Sequence, residues 1–198
     1  MWDERYDGEG YAYGTEPNDF LVAMVGRLPA GGRVLCLGEG EGRNAVWLAR
    51  QGFRVTGIDA SAVGLAKARQ LAAAAGVGIE TVHGDLAELD LGEACWDAVV
   101  SVFCHLPPEL RRQVHARAVR ALKPGGVFLL EAYTPRQLQF GTGGPPGASM
   151  MMDLQALAGE LSGLAFEHGV ELDRTISEGR YHDGIGAVVQ VVARKTAV

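Results

Sequence analysis

Val34-Leu35-Cys36-Leu37-Gly38-Glu39-Gly40-Glu41-Gly42-Arg43-Asn44-Ala45-Val46-Trp47-Leu48-Ala49 reads as an apolar strand that runs into a glycine loop and then an apolar helix. Strand-loop-helix of this kind is a ligand site. Glycines let backbone approach a ligand closely, and a helix start offers unpaired N–H groups and the positive end of a dipole.

Outward from this stretch, short β-branched runs alternate with helix-length segments, the rhythm of βαβ units and a parallel sheet. The strands predicted are 33–37, 54–58, 79–83, 96–102, 127–133 and 187–193. Helices are predicted over 43–50, over the Ala-rich 61–75 with Ser61 as N-cap and Gly76 as stop, and over 108–122. Lys123-Pro124-Gly125-Gly126 reads as the turn into the next strand. Thr15-Glu16-Pro17 reads as the opening of a helix towards Leu28. Two segments break the rhythm: the aromatic residues 1–20 and the Gly/Pro-rich residues 134–152, both candidate lids. No repeat or linker divides the chain, so residues 1–198 read as one domain.

Composition narrows the function classes. With 198 residues, 47% hydrophobic and 21% charged, the chain is globular, and no apolar run approaches the length of a membrane span. Its opening Trp2-Asp3-Glu4-Arg5-Tyr6 is acidic and aromatic where an export signal is basic and then apolar, so the cytoplasm is the expected compartment. Cys36, Cys95 and Cys104 lack CxxC spacing and read as reduced thiols. The net charge of −6 disfavours a nucleic-acid surface, and Arg111, Arg112, Arg117, Arg120 and Lys123 read as a solvated helix face. The histidines show no metal-ligand spacing, so no metal is expected.

The ligand follows from the carboxylates. Asp59 stands after the second strand, about 20 positions beyond the first loop glycine, where a carboxylate accepts from ribose hydroxyls. Asp85, in His83-Gly84-Asp85-Leu86 after the third strand, suits an adenine amino group at the same sheet edge. The glycines at 38, 40 and 42 give GxGxG, whereas a dinucleotide fingerprint needs its third glycine at position 43. Glu39 and Glu41 would oppose a pyrophosphate, at about 4 kcal/mol for like charges about 4 Å apart. They would favour a ligand carrying ammonium and sulfonium groups.

Through the glycine loop, Gly57-Ile58-Asp59, Gly84-Asp85-Leu86 and Leu122-Lys123-Pro124-Gly125-Gly126, the sequence resembles the class I S-adenosylmethionine-dependent methyltransferases. Gly42-Arg43-Asn44 and the closing Val191-Val192-Ala193-Arg194-Lys195 look like the small tellurite-resistance members. The resemblance implies an α/β, Rossmann-like domain with helices on both faces of a seven-stranded, mostly parallel sheet whose last strand is antiparallel. It implies S-adenosylmethionine as cofactor, held by Gly38, Glu39, Gly40, Gly42 and Asn44 of the loop and by Asp59, Ala60, Asp85, Leu86 and Ser101 at the strand ends. The family usually carries an acid two residues before the first loop glycine; Cys36 stands there, with Glu39 as the expected substitute.

Nearly every element belongs to the sheet and its helices, so the expected methyl acceptor is small: tellurite, a thiol or another metabolite. Cys104 and His105 are adjacent at a strand end and point to opposite faces, so they do not form a nucleophile pair. His105 is the candidate base or orienter on the acceptor, against a structural role. Met150-Met151-Met152 reads as gap-filling core or lid. A nucleotide-linked oxidoreductase lacks its glycine spacing here. A non-catalytic S-adenosylmethionine-binding module would keep the loop and Asp59 but fill the acceptor pocket. Oligomeric state is not legible.

Overall fold

The glycine-loop strand lies inside the sheet, which is why Val34, Leu35, Cys36 and Leu37 are buried without a break. The computed structural model describes residues 2–196. In chain order its elements are α1 (Trp2–Tyr6), α2 (Asp19–Met24), β1 (Arg33–Leu37), α3 (Arg43–Arg50), β2 (Arg54–Asp59), α4 (Ala62–Ala74), β3 (Glu80–His83), β4 (Trp96–Val102), α5 (Pro108–Ala121), β5 (Leu122–Tyr133), α6 (Leu154–Glu160), β6 (Leu164–Ser177) and β7 (Asp183–Lys195). The sheet order is β3-β2-β1-β4-β5-β7-β6. β1 to β5 pair in parallel, and β7 lies antiparallel between β5 and β6. Strand order reverses between β1 and β4, so a crevice opens beyond their carboxyl ends.

Both sheet faces are covered. On one, Leu35, Val99, Phe128 and Leu130 pack with Val114 and Ala118 of α5 and Leu157 of α6. On the other, Val34, Val100, Val127 and Leu129 pack with Leu21 of α2 and Ala45 and Leu48 of α3. Each buried Leu or Val side chain contributes about 1.5–3 kcal/mol. Met152 lies in the first core, and Met151, also within the 134–152 segment, is buried against Tyr133, Ile176 and Val188.

Ser61 caps α4, accepting from Gly64 N. The helix expected from Thr15 begins at Asp19 instead. Asn18 accepts from Leu21 N and supplies the cap that Pro17, outside the helix, cannot. The Lys123–Gly126 turn is a bulge within β5, where pairing with β4 jumps from Leu122 to Val127. β6 was not legible because it is a mostly exposed edge, rich in charge at Glu167, Glu171, Asp173 and Arg174. α5 is not simply a solvated basic face: Arg111 is buried on Glu160, and Arg117 reaches the Leu89 and Leu86 carbonyls. Among the described residues no helix is long and apolar enough to cross a membrane.

Candidate cofactor and acceptor site

The glycine loop is shaped by what surrounds it. Gly40 has φ +61, and a Cβ there would stand 2.6 Å from the Tyr6 hydroxyl. Gly42 has φ +92, and a Cβ would stand 2.6 Å from that of Ala68 on α4. Backbone conformation and close approach both demand glycine. Gly38, beside it, lies against the Cys104 side chain.

Asp59, at the carboxyl end of β2, accepts from Gly40 N through Oδ2 and from Ser61 N through Oδ1, each at 2.8 Å. Each oxygen keeps a further acceptor direction. Burial raises the pKa of Asp59, while those two N–H groups favour its ionised form. Asp85 is exposed, and its Oδ1 accepts from Ala87 N. Ala60 is exposed, with its carbonyl on His83 Nε2, whereas Leu86 and Ser101 are buried.

The two loop glutamates do not lie as the sequence suggests. Glu39 turns beneath the loop, where Oε1 accepts from Ala45 N at 2.8 Å and the Cys36 thiol donates to it. A carboxylate thus reaches Cys36 from three residues further on. Gly57 makes the room, since a Cβ there would stand 2.9 Å from the Glu39 side chain. Burial pushes Glu39 up to about 7 against the pull of Ala45 N and Arg43. Glu41 turns outward, accepting from Ala12 N at 2.6 Å and pairing with Lys67 at 3.1 Å. The case against a pyrophosphate therefore rests on glycine spacing more than on these two charges. Asn44 is likewise engaged, accepting from Asn18 N at 2.9 Å.

Glu41 anchors a strap made by the N-terminal residues. Lys67 also donates to the carbonyls of Gly8 and Gly10, Asp3 accepts from Ser61 Oγ, and Arg180 N donates to the Ala12 carbonyl. This strap lays Tyr6 over Gly40 and brings Tyr13 to His182, with ring centroids 4.7 Å apart.

Below the strap lies a buried ionic network absent from the sequence reading. Arg174 makes two bonds to Glu131, at 2.8 and 2.6 Å, and a third to Glu178. Arg43 bonds Glu178 at 2.6 Å, while Asn18 and Gln190 bond Glu131. Burial raises the Glu178 pKa, but Arg43 and Arg174 outweigh it and hold the group low.

Beyond the carboxyl ends of β4 and β5, Phe103, Tyr133 and His182 form an aromatic cluster. Centroids lie 4.6 Å apart for Phe103 and Tyr133, 4.7 Å for Phe103 and His182, and 5.3 Å for Tyr133 and His182. Phe103 has φ 51, a left-handed conformation costing about 1–3 kcal/mol that bulky residues adopt chiefly at functional sites. Tyr133 Oη and His182 Nδ1 are buried without a hydrogen-bond partner. Sequence pattern offered no signal for Phe103 or Tyr133, each simply the end of an apolar run.

His105, the candidate base or orienter weighed against a structural role, makes bonds that favour the structural one. Nδ1 donates to the Phe103 carbonyl and Nε2 accepts from Tyr133 N, at 3.1 and 3.0 Å. Both ring nitrogens serve the backbone, and burial pushes the ring down to about 4. Here His105 holds the ends of β4 and β5 together. Cys104 stays separate from it, against Gly38, its thiol pushed up to about 12 by burial.

Sheet order, glycine loop and strand-end acids are those of an S-adenosylmethionine-binding Rossmann-like domain, and residues 34–126 match the methyltransferase domain family. Over residues 34–126 the chain carries this methyltransferase domain, and it is similar to S-adenosylmethionine-dependent methyltransferases. It is 34% identical over 155 residues to a probable S-adenosylmethionine-dependent methyltransferase of Mycolicibacterium smegmatis, covering 77% of this chain and 56% of that one. It is 42% identical over 98 residues to a ubiquinone biosynthesis O-methyltransferase of Paramagnetospirillum magneticum, covering 48% of this chain and 38% of the relative. The chain thus spans about half or less of the length of these relatives. Among solved structures, TehB from Haemophilus influenzae superposes with TM-score 0.73 at 20% identity, over 98% of this chain and 66% of that one. A structure titled for conversion of a disulfide bond into a thioacetal group during echinomycin biosynthesis gives TM-score 0.79 at 22% identity, over 98% and 88%. Both likenesses concern the fold.

Proposed function

We propose that the protein transfers the methyl group of S-adenosylmethionine to a small-molecule acceptor, in a reducing, cytoplasmic compartment that suits its three free cysteines. The observation that carries the reading is Asp59, buried beside a glycine loop that admits no side chains and still offering acceptor directions to a ribose. When bound, S-adenosylmethionine supplies an electrophilic methyl group on a sulfonium. Gly38, Gly40 and Gly42 would let backbone approach it, Asp59 would take the ribose, Asp85 would take the adenine amino group, and Leu86 would give an apolar contact. Glu39, held at Ala45 N, would serve the amino-acid end in place of the missing acid at Cys36. Catalysis in this family of displacements needs the nucleophile about 3–3.5 Å from the methyl carbon and water excluded, which the strap and the 134–152 segment support. No general base is assigned, because His105 is bonded on both nitrogens.

Calorimetry with S-adenosylhomocysteine and with NAD tests the reading. Saturable binding of the first and none of the second is expected, followed by transfer of labelled methyl to an acceptor. Micromolar NAD binding with no S-adenosylhomocysteine binding ends it.

A further inference from the structure

We infer that the Tyr133 hydroxyl and His182 Nδ1 bind the methyl acceptor, and that this acceptor is a small, flat, uncharged molecule presenting a thiol or hydroxyl. This rests on the methyltransferase reading above. Buried polar atoms in folded proteins are almost always paired, and each exception calls for a reason. Tyr133 is fully buried and His182 is 7% exposed, yet both atoms are unpaired within one aromatic cluster. A third such atom, His168 Nε2, lies apart beside Phe20, whereas these two share one cluster with the left-handed Phe103.

The position fits an acceptor. Phe103 is next to Cys104, which lies against Gly38 of the cofactor loop, and Tyr13 links His182 to Tyr6 over Gly40. The cluster is capped by 141–144: a Cβ on Gly143 would stand 2.9 Å from His182 Cδ2 and 3.0 Å from Tyr133 Oη, and one on Gly144 would stand 2.9 Å from the Tyr133 ring. That cap belongs to no strand. Gln137 bonds Thr142 Oγ1 and the Gly143 carbonyl, and Thr142 bonds the Ile185 carbonyl, so a few polar contacts hold it closed.

The chemistry of the ligand follows from the lining. Aromatic faces favour a flat or sulfur-bearing group. The nearby guanidinium groups of Arg43 and Arg174 are already matched by Glu178 and Glu131, and Arg5, exposed on the strap, is engaged by the Tyr13 hydroxyl and the Tyr181 ring, so the lining favours an uncharged group over an oxyanion. Burial, with Arg43 nearby, drives His182 down to about 3 against the pull of Glu178, so the ring is neutral. A protic thiol or hydroxyl can donate to a neutral ring nitrogen and accept from a phenol.

Thiophenol, phenol and tellurite, titrated into the protein loaded with S-adenosylhomocysteine, test this. Saturable binding of thiophenol or phenol is expected, weakened about tenfold or more in Tyr133→Phe and in His182→Phe, with tellurite not binding. Both variants should bind S-adenosylhomocysteine within threefold of the parent, and Tyr133→Phe should melt no lower, because its hydroxyl bonds nothing in the protein. The inference is overturned if neither aromatic probe binds the loaded parent, if both variants bind the probes like the parent, or if tellurite is the ligand that binds. Failure of the parent to bind S-adenosylhomocysteine is a separate result, which removes the methyltransferase reading and this inference with it.

Discussion

Replacing Glu39 with Gln removes one titration from beneath the cofactor loop, and its effect on stability can be worked out. Burial raises the folded pKa of Glu39 from 4.5 to about 7. The folded protein therefore holds a proton over a range where the unfolded chain has lost it. A raised folded value means stability that is full below the unfolded pKa and is lost as pH rises through the folded one. At about 1.4 kcal/mol per unit, the shift corresponds to a ceiling of about 3 kcal/mol lost between about pH 4.5 and 7. Screening at a half-buried site reduces this to about 1–2 kcal/mol. Gln mimics the protonated acid, so Glu39→Gln should match the parent at about pH 5 and exceed it by about 1–2 kcal/mol at about pH 8. Other groups also titrate in this range, so the informative quantity is the difference between parent and variant. Urea unfolding at both pH values supplies it. Parallel pH profiles for the two proteins would refute the burial argument. Cofactor affinity gives an independent measure: if Glu39 faces the ammonium group, parent affinity should rise with pH through about 7 while that of the variant stays flat.

Asp59→Ala should weaken S-adenosylhomocysteine binding by about 2–3 kcal/mol in calorimetry on a sample with native circular dichroism; unchanged affinity removes Asp59 from the ribose. His105→Ala should lower the melting temperature while leaving the cofactor dissociation constant within about threefold, because its bonds join Phe103 to Tyr133. Its depressed folded pKa contributes stability present above about 6.5 and lost as pH falls towards 4, so the variant should also be less acid-sensitive over that window. Arg174→Ala leaves Glu131 and Glu178 without the cation they share and should cost about 3–5 kcal/mol by urea unfolding; a loss below about 1 kcal/mol would contradict the network.

The sheet was largely legible because its inner strands are buried and apolar and the runs are punctuated by Gly, Pro and Ser. Six strands and the helices α3, α4 and α5 follow from that pattern, most ends to within two residues, with β5 beginning five and β7 four residues earlier than expected. β6 does not, because an edge strand carries charge to resist pairing and so loses the apolar alternation. Asp59 was legible through its spacing from the glycine loop. Glu39 and Glu41 show the limit of that reading: identity and spacing place a carboxylate in the loop, but the side chain's direction depends on Gly57 leaving room below and on Ala12 standing outside. Tyr133 and His182 meet only through tertiary contact between β5 and the turn before β7. His105 read as a candidate base because it stands at the right strand end; its two backbone bonds depend on Phe103 turning left-handed.

Two kinds of buried polarity meet at this sheet edge, and their contrast argues for a division of labour. Arg43, Arg174, Glu131, Glu178, Asn18 and Gln190 satisfy one another, joining the starts of α2 and α3 to β5, β6, β7 and the turn between the last two strands. A network so complete adds rigidity and has little capacity left for a ligand. Tyr133 Oη and His182 Nδ1, adjoining it, make no bonds at all. Leaving a buried polar atom unmade costs about 1–3 kcal/mol, so two of them represent stability forgone. The paired network holds the frame against that loss, and the unpaired atoms keep their hydrogen-bonding capacity for a molecule that the chain itself does not supply.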